Sequence, residues 1–319
     1  MSTTSIQDSA LAKTLRRETT AEVLFDDFSR GLYSTDASIY QIMPLGVVVP
    51  KTEEDVRTTL NIAYENGISV TMRGGGTSQC GQTVGEGIIV DVSKNLNSLI
   101  SVDPEKRHAS VQPGIVLDQL NARLKQHGLF FPVDVSTSSR ATIGGMTANN
   151  SCGARSIRYG KMVDNVREVD AVLADGSSMR FGKWGDGTAS AVPQRQQQLV
   201  SQLIDLGTRE SEEVVRRFPR VQRRVGGYNL DVLSAEPGSS LNLAQLLVGS
   251  EGTLAVSSQI TLDLQPIPEH KVLGVCHFPT FYQAMETTQH LVELEPDAVE
   301  LVDQTMLKLA AEIPQFQEK

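Results

Sequence analysis

The chain has few cysteines and few aromatic residues. Of its 319 residues, three are cysteine and 5% are aromatic. Cys80, Cys152 and Cys276 are widely spaced and form no CxxC pair, which argues against zinc or iron–sulfur ligation within the chain, so we predict no metal site. Cysteines in this pattern are typical of a reducing compartment, and we therefore predict a cytoplasmic location.

Basic residues are also in short supply. Lys and Arg number 29 against 38 Asp and Glu, so the formal net charge is −9. Nucleic acids and anionic membranes both attract basic faces, and we therefore expect neither as a partner. No apolar run approaches the length of a transmembrane segment, and residues 1–20 are too polar for a secretory signal. The remaining composition, 39% apolar and 21% charged, is that of a globular chain with room for more than one domain.

Hydrophobic patterns predict a mixture of helices and strands. We expect little regular structure in residues 1–20 and a short helix at 21–28. Thr52, with Asp55 three residues later, predicts a capped helix that ends at Asn66 and Gly67. The other patterns predict strands at 47–50, 68–72, 88–92, 99–102, 109–112, 166–173, 178–181 and 254–264, and helices at 116–127, 142–149, 194–206 and 211–217.

Two prolines mark a predicted domain boundary. Pro266 and Pro268 interrupt the strand pattern. We therefore expect an N-terminal extension at 1–40, a first domain at 41–268 and the beginning of a second domain at 269–319. In that last part the patterns predict strands at 272–278 and 298–302, with a helix at 281–294 between them.

A glycine-rich segment carries the strongest functional signal. Residues 73–82 read Arg-Gly-Gly-Gly-Thr-Ser-Gln-Cys-Gly-Gln. Three glycines in a row let several backbone N–H groups approach one anion, most plausibly a phosphate or diphosphate. A P-loop would need lysine where Gln82 stands, and a Rossmann loop would continue into a helix instead of the strand predicted at 88–92. On this segment alone, a glycine-rich hairpin without a ligand stays open.

Three further segments accompany this glycine loop. They are residues 132–153, which include Gly144-Gly145 and Asn149-Asn150-Ser151, residues 226–230 (Gly-Gly-Tyr-Asn-Leu) and residues 247–254 (Leu-Val-Gly-Ser-Glu-Gly-Thr-Leu). In this order the four segments resemble the FAD-binding domain of the vanillyl-alcohol oxidase (p-cresol methylhydroxylase) superfamily. They are similar to its flavin-dependent D-2-hydroxyacid dehydrogenases, which include D-lactate, D-2-hydroxyglutarate and glycolate enzymes. The variants at 34–40 and 149–153 resemble large bacterial FAD-linked oxidases with an iron–sulfur C-terminal part.

The resemblance implies a fold and a cofactor site. The fold is α+β, a two-subdomain FAD-binding fold of the vanillyl-alcohol oxidase type at 41–268, followed by the start of a ferredoxin-like cap domain. The glycine loop would hold the FAD diphosphate, and the later segments would meet the flavin, its ribityl chain and the nucleotide portion. The residues implied for cofactor binding are Arg73, Gly74, Gly75, Gly76, Thr77, Ser78, Gly81, Gln82, Asp134, Ser136, Thr142, Gly144, Gly145, Asn150, Ser151, Gly249, Glu251, Gly252 and Val256.

The resemblance also implies how FAD is attached. Some relatives bind flavin covalently through a histidine of the glycine loop, and Thr77 stands at that place here. The nearest histidine in the sequence is His108, so non-covalent FAD is implied. The five histidines form no HxH or HxxxH pair, and no catalytic residue is assigned.

The activity implied is oxidation of a small 2-hydroxy acid by hydride transfer to flavin N5, with reoxidation by an electron acceptor. An iron–sulfur domain or subunit would be a further partner. The base and metal ligands of such enzymes are expected after residue 319, and we therefore expect a truncated chain or fragment. Two alternatives stay open: a flavin alcohol or sugar oxidase with the same FAD domain, and an FAD-binding module without turnover of its own.

Overall fold

The computed structural model describes residues 9–185, 192–234 and 241–316. The helices in these ranges are α1 (Ala10–Glu18), α2 (Asp27–Leu32), α3 (Glu53–Glu65), α4 (Leu117–Leu124), α5 (Ile143–Asn149), α6 (Ser156–Tyr159), α7 (Met162–Asn165), α8 (Gln194–Arg209), α9 (Ser211–Arg217), α10 (Ala244–Leu247), α11 (Phe281–Leu291) and α12 (Gln304–Glu312). The strands are β1 (Glu22–Leu24), β2 (Gly46–Val49), β3 (Val70–Arg73), β4 (Ile88–Asp91), β5 (Leu99–Asp103), β6 (His108–Val111), β7 (Leu129–Phe130), β8 (Val166–Val172), β9 (Ser178–Phe181), β10 (Lys183–Trp184), β11 (Leu241–Asn242), β12 (Val256–Asp263) and β13 (Gln265–Pro266). None of the helices in the described ranges is long and apolar enough to cross a membrane.

The first sheet has four strands in the order β1-β2-β4-β3. β1 is antiparallel to β2, whereas β2 and β3 both run parallel to β4. β2 and β3 therefore run parallel on either side of β4, and the chain crosses from one to the other through α3. Val48, Ile88 and Val90 are fully buried and pack with Ile62 of α3 and Leu15 of α1. This crossover places the chain after β3 at one edge of the sheet, where the glycine loop begins.

The second sheet has five antiparallel strands in the order β5-β6-β12-β8-β9. β12 lies in its centre and pairs with β6 and β8, which are far from it in sequence. β8 and β9 form the predicted hairpin. Helices α4, α5 and α10 contribute buried side chains to the core beside this sheet, including Leu120, Ile143 and Leu247.

The N-terminal region differs from the sequence prediction. Residues 1–8 lie outside the described residues, but α1 forms directly after them. Ser9 accepts a hydrogen bond from the Ala12 N–H, and Ala12 and Leu15 are fully buried against the first sheet. The prediction of little regular structure up to residue 20 is therefore wrong for α1, because two buried positions anchor the helix.

The helix predicted at 21–28 is also wrong. Val23 lies opposite Val48 in the antiparallel β1–β2 ladder, so its backbone is extended. A helix begins only after Asp26, whose carboxylate accepts the Ser29 N–H as an N-cap. Pairing with a distant strand overrides the local pattern here.

The segment after residue 266 contains helices but no strands among its described residues. α11 forms with Thr280 as N-cap, as predicted, and α12 follows. The strands predicted at 272–278 and 298–302 are wrong for this structure. No neighbouring strand offers them hydrogen-bond partners within the described ranges, and Val272 and Leu273 are 96% and 87% exposed.

Candidate functional site

A cavity of about 500 Å³ is lined by segments of both sheets. The first sheet contributes most of the glycine loop after β3 and Val92 after β4. The second contributes residues 135–137, much of α5 with the residues after it, and the turn that leads into β12. The cavity therefore lies where the two halves of the fold meet.

The glycine loop is packed too closely for side chains. A Cβ on Gly74 would lie 2.1 Å from the Thr142 Oγ1, and one on Gly75 would lie 2.3 Å from the Arg140 carbonyl oxygen. Gly76 has a φ of +65°, which favours glycine. The loop after β3 therefore lies directly against the start of α5, backbone to backbone, and this contact joins the two halves of the cavity wall.

The backbone N–H groups of this loop are available to a ligand. Those of Gly75, Gly76, Thr77 and Ser78 donate to no atom of the described residues. The Ser78 hydroxyl donates to the Gln82 Oε1 and closes the loop on itself. Several unpaired N–H groups in one loop that lines a cavity can together bind an anion.

Arg73 holds the glycine loop in place. Its guanidinium donates to the carbonyl oxygens of Tyr33, Thr35 and Thr83, at 3.4, 2.9 and 3.3 Å, and lies over the Tyr33 ring. The Ala37 N–H adds a hydrogen bond to the Gly76 carbonyl oxygen at 3.1 Å. Arg73 lines the cavity, but its donors are committed to carbonyl groups, so its main role here is to fasten the segment after α2 to the loop.

Thr142 and Asn150 bound α5. Thr142 is the N-cap, and its Oγ1 accepts the Gly145 N–H at 3.3 Å. Asn150 ends the helix in the left-handed conformation, with a φ of 53°. Its Oδ1 accepts the Val163 N–H at 3.0 Å, which fixes the orientation of the amide. The Asn150 Nδ2 is then buried with no partner among the described residues, in a side chain that lines the cavity.

The turn before β12 closes the cavity on its far side. Glu251 has a φ of 52°, its N–H donates to the Ala148 carbonyl oxygen at 3.0 Å, and its Oε1 accepts from Asn149 Nδ2 at 2.9 Å. The Gly249 N–H donates to the Thr147 carbonyl oxygen at 2.9 Å. These bonds fasten the turn to α5, so Glu251 orients the turn.

Most of the residues implied by the resemblance lie in this one cavity wall; those in the lining are Arg73, Gly74, Gly75, Gly76, Thr77, Ser78, Gln82, Ser136, Thr142, Gly144, Gly145, Asn150, Ser151, Glu251, Gly252 and Val256. Gly81, Asp134 and Gly249 lie outside the lining and shape adjoining turns. Gly81 has a φ of +79° and Gly249 one of +83°. The Asp134 Oδ1 accepts the Arg155 N–H at 3.2 Å and so holds the turn after Cys152.

Several lining residues were not assigned a role from the sequence. They are mainly small or apolar: Met72, Gln79, Cys80, Thr83, Val92, Pro113, Val135, Thr137, Ala141, Met146, Ala148, Asn149, Cys152, Val225, Leu247, Ser250, Ala255 and Ser257. Those adjacent to the four motifs could have been found by extending each motif. Val92 and Pro113 carry no local signal, because only the packing of the chain brings them to the cavity.

The lining carries little charge. Of the described lining residues, only Arg73 and Glu251 are ordinarily charged, and none is a histidine.

Tyr228 and Asn229 of the third motif also lie outside the lining. Asn229 is buried and donates to the Val248 carbonyl oxygen at 2.8 Å, which makes it structural. Within the described ranges no group of three or more His, Cys, Asp or Glu side chains is placed to hold a metal ion.

These features fit a cofactor that carries a diphosphate. The glycine loop offers unpaired N–H groups in the cavity lining, and its packing against Arg140 and Thr142 leaves no room for Cβ atoms at Gly74 and Gly75. Thr77 and Ser136 offer hydroxyls without partners among the described residues, and Asn150 offers a buried amide donor. The apolar lining around them suits a ring system.

Comparison with known proteins agrees with this chemistry. Residues 44–182 match the family model described as FAD binding domain, and residues 267–319 match the one described as FAD linked oxidases, C-terminal domain. The fold and the cavity thus define a flavin-binding domain. The chain carries an FAD-binding domain followed by residues of an FAD-linked oxidase C-terminal domain, and its cofactor is FAD.

Individual relatives are longer than this chain. D-2-hydroxyglutarate dehydrogenase of Pseudomonas putida is 35% identical over 295 residues, which cover 91% of this chain and 29% of that protein. The glycolate oxidase subunit GlcD of Bacillus subtilis is 30% identical over 290 residues, which cover 89% of this chain and 51% of that protein. A solved alkyldihydroxyacetonephosphate synthase shares the fold, with a TM-score of 0.64 at 18% identity over 90% of this chain and 46% of the other. The chain therefore spans from under a third to about half of the length of these relatives.

Proposed function

We propose that the cavity between the two sheets binds FAD non-covalently and serves an oxidoreductase that oxidises small 2-hydroxy acids. The observation that carries this proposal is the glycine loop, whose N–H groups are unpaired and whose residues line a cavity together with residues of the second and fourth motifs. The named relatives act on D-2-hydroxyglutarate and glycolate, which supports the substrate class.

Bound FAD would supply the hydride acceptor. The chain's own residues would position it: the loop N–H groups and the Thr77 hydroxyl would hold the diphosphate, and Asn150 would donate from its Nδ2 to an acceptor of the cofactor. The absence of a lysine is compatible with this role, because several N–H dipoles together balance an anion. Residues 41–268 form the FAD-binding domain in this proposal, and the segment from 269 onward contributes to the substrate side.

The cofactor proposal is tested by reconstitution. Purified chain, stripped of flavin and incubated with FAD, is expected to turn yellow and to release all its flavin into the supernatant on acid precipitation. No histidine stands among the described lining residues, which supports non-covalent attachment. Flavin that stays with the precipitate would show a covalent bond, and failure to bind FAD at all would refute the site.

The substrate proposal is tested on the protein purified from its native source. Under anaerobic conditions its flavin absorbance is expected to bleach with D-2-hydroxyglutarate, D-lactate or glycolate, and far more slowly with the L-enantiomers or with simple alcohols and sugars. Bleaching by an alcohol or a sugar alone would favour an oxidase of another substrate class.

A second test of the substrate proposal uses the 319-residue chain by itself. Its lining has no histidine, lysine or aspartate among the described residues to act as base. The one carboxylate there, Glu251, is held by Asn149 in the turn before β12, and Arg73 is committed to carbonyl oxygens. We therefore expect the chain loaded with FAD to keep its flavin oxidised with the same acids. Rapid bleaching would place the base within this chain and refute that part of the proposal.

Two finer elements of the proposal concern the cellular setting. We propose a cytoplasmic location, supported by the three unpaired cysteines. We also propose an iron–sulfur domain or subunit as the electron partner, supported by the sequence variants at 34–40 and 149–153. Iron and acid-labile sulfide analysis of the native protein tests the second element, and their absence would refute it.

A further inference from the structure

Two of the three cysteines line the cofactor cavity. Cys80 is exposed and lies within the glycine loop, and Cys152 is partly buried and lies just after α5. Cys276 is exposed as well, but it lies outside the lining, in the segment after the two prolines. None of the three forms a disulfide. The chain therefore has two thiols inside the candidate site and one outside it.

Enlarging the side chain of Cys80 would disturb the glycine loop. The loop around it is closely packed: the Ser78 hydroxyl bonds to Gln82, and Gly81 lies so near Tyr40 that an added Cβ would meet the ring at 2.6 Å. Because Cys80 itself lines the cavity, a group added to its sulfur would take up space at the glycine loop. If that group carries carboxylates, it also places negative charge beside the N–H groups that are available to an anion.

An independent observation marks the same cavity as a ligand site. Asn150 is 1% exposed, and its Nδ2 has no partner among the described residues. A buried amide donor without a partner is costly unless a ligand accepts its hydrogen bond. Asn150 and Cys152 are two residues apart and both line the cavity, so a ligand that satisfies this donor also lies near the second thiol.

We propose that Cys80 is a thiol-modification site and that its modification and FAD binding exclude each other, with Cys152 as a slower second site. The inference rests on the proposed location of FAD in this cavity. The oxidant is a low-molecular-weight disulfide such as oxidised glutathione. The Cys80 thiolate attacks one sulfur, the disulfide bond of the reagent breaks, a mixed disulfide forms, and the other half leaves as a thiolate. Cys80 is oxidised, the departing half is reduced, and a dithiol reverses the step.

The test measures thiol reactivity with and without FAD. The chromogenic disulfide 5,5′-dithiobis(2-nitrobenzoate) releases one coloured thiolate for each cysteine that it modifies. With FAD at ten times its dissociation constant, mass action leaves about a tenth of the protein unoccupied, so the Cys80 phase is expected to slow about tenfold. The Cys276 phase is expected to keep its rate, because that thiol lies outside the cavity.

Single variants assign the phases. Cys80→Ser is expected to remove the FAD-sensitive fast phase, whereas Cys276→Ser removes the FAD-insensitive one. Cys152→Ser leaves both fast phases and removes the slow one. A thiol count in denaturant verifies each variant, and its FAD affinity before modification shows that the cavity is intact.

The reverse direction is tested with one thiol in place. Protein that carries both Cys152→Ser and Cys276→Ser, modified at Cys80 with oxidised glutathione, is expected to bind FAD at least about tenfold more weakly, because coupling between two sites is reciprocal. Dithiothreitol restores the affinity. Equal Cys80 rates with and without FAD, or an unchanged affinity of the adduct, would overturn the inference while FAD binding itself stands. If unmodified protein binds no FAD, the proposed function fails and this inference fails with it.

Discussion

At the scale of single residues, the cofactor loop depends on positions that have no side chain. Gly74 and Gly75 face the Thr142 hydroxyl and the Arg140 carbonyl oxygen so closely that a methyl group would collide with either. The two contacts differ in kind, since a side-chain hydroxyl can rotate and a backbone carbonyl cannot. A side chain at Gly75 is therefore expected to disturb the loop more than one at Gly74.

Replacement of Gly75 by alanine is expected to weaken FAD binding. The new Cβ would lie 2.3 Å from the Arg140 carbonyl oxygen, so loop and turn must separate. Overpacking of this kind typically costs about 1–3 kcal/mol, which corresponds to an affinity loss of about 5- to 150-fold. Titration of flavin fluorescence measures it.

Gly31→Ala is the matched control. An added Cβ there meets nothing within 4 Å, and Gly31 lies inside α2, where alanine favours the helix. We expect this variant to bind FAD like the parent. A Gly75→Ala protein with the parental affinity would show that the loop does not contact the cofactor.

A second residue-scale prediction concerns Asn150. In Asn150→Asp the carboxylate still accepts the Val163 N–H, so the end of α5 is preserved, but the unpartnered donor is lost. We expect FAD affinity to fall about tenfold or more, because a donor is replaced by a negative charge. The melting temperature of the FAD-free protein checks that the fold is intact, and an unchanged affinity would exclude contact between this amide and FAD.

At the scale of elements, α3 sets the position of the glycine loop. Thr52 and Asp55 form the predicted capping box at its start. Asp55 is 4% exposed, and its carboxylate accepts hydrogen bonds from the N–H groups of Thr20, Lys51 and Thr52 at 2.7, 2.9 and 3.0 Å. One carboxylate thus joins the segment before β1, the end of β2 and the start of the crossover helix.

Substitution of Asp55 is expected to destabilise the first sheet in a pH-dependent way. Burial by itself raises the pKa of Asp55, but the hydrogen bonds from Thr20, Lys51 and Thr52 outweigh it and lower the pKa below its ordinary value of 3.8. A lowered pKa stabilises the fold above the unfolded-state pKa, and this stabilisation is lost as the pH falls through the folded-state value.

Asp55→Asn is therefore expected to lower the free energy of unfolding by about 1–3 kcal/mol at pH 7, with a difference that shrinks below about pH 4. Urea denaturation at several pH values measures it. Glu53→Gln is the control, because Glu53 lies in the same first turn and is exposed, and its side chain has no hydrogen bond among the described residues. Equal losses in both variants would contradict a specific role for Asp55.

At the scale of the whole molecule, the cavity lies between two separate cores. One core surrounds the first sheet and the other the second, and the lining comes from both. A ligand held by both halves stabilises them together. Saturation with FAD at 100 times its dissociation constant is expected to add about 2.7 kcal/mol to the free energy of unfolding and to raise the melting temperature in one transition.

Riboflavin is the control ligand for that measurement. It has the same ring system but no diphosphate, and so it cannot use the N–H groups of the glycine loop. We expect riboflavin at the same concentration to raise the melting temperature much less than FAD does. Equal shifts would mean that the loop does not hold the diphosphate.

Local patterns in the sequence determined a large part of this protein. The capping box of α3, the strands β2 to β6, the β8–β9 hairpin and the helix that begins at Thr142 follow from neighbouring residues, and the structure confirms them. The order of the four motifs identified the FAD-binding family, which the comparisons confirm. These features can be predicted from the sequence because caps, turns and short periodicities depend on contacts within a few residues.

Only the tertiary structure decided the rest. β1 replaced a predicted helix because β2 pairs with it, and residues 272–278 did not become a strand because no described strand lies beside them. Val92 and Pro113 joined the cavity, and the Arg73 side chain was committed to carbonyl oxygens, through packing between distant segments. Strand pairing and packing depend on contacts between residues that are far apart in the sequence. A local pattern of neighbouring residues does not specify which of those contacts form.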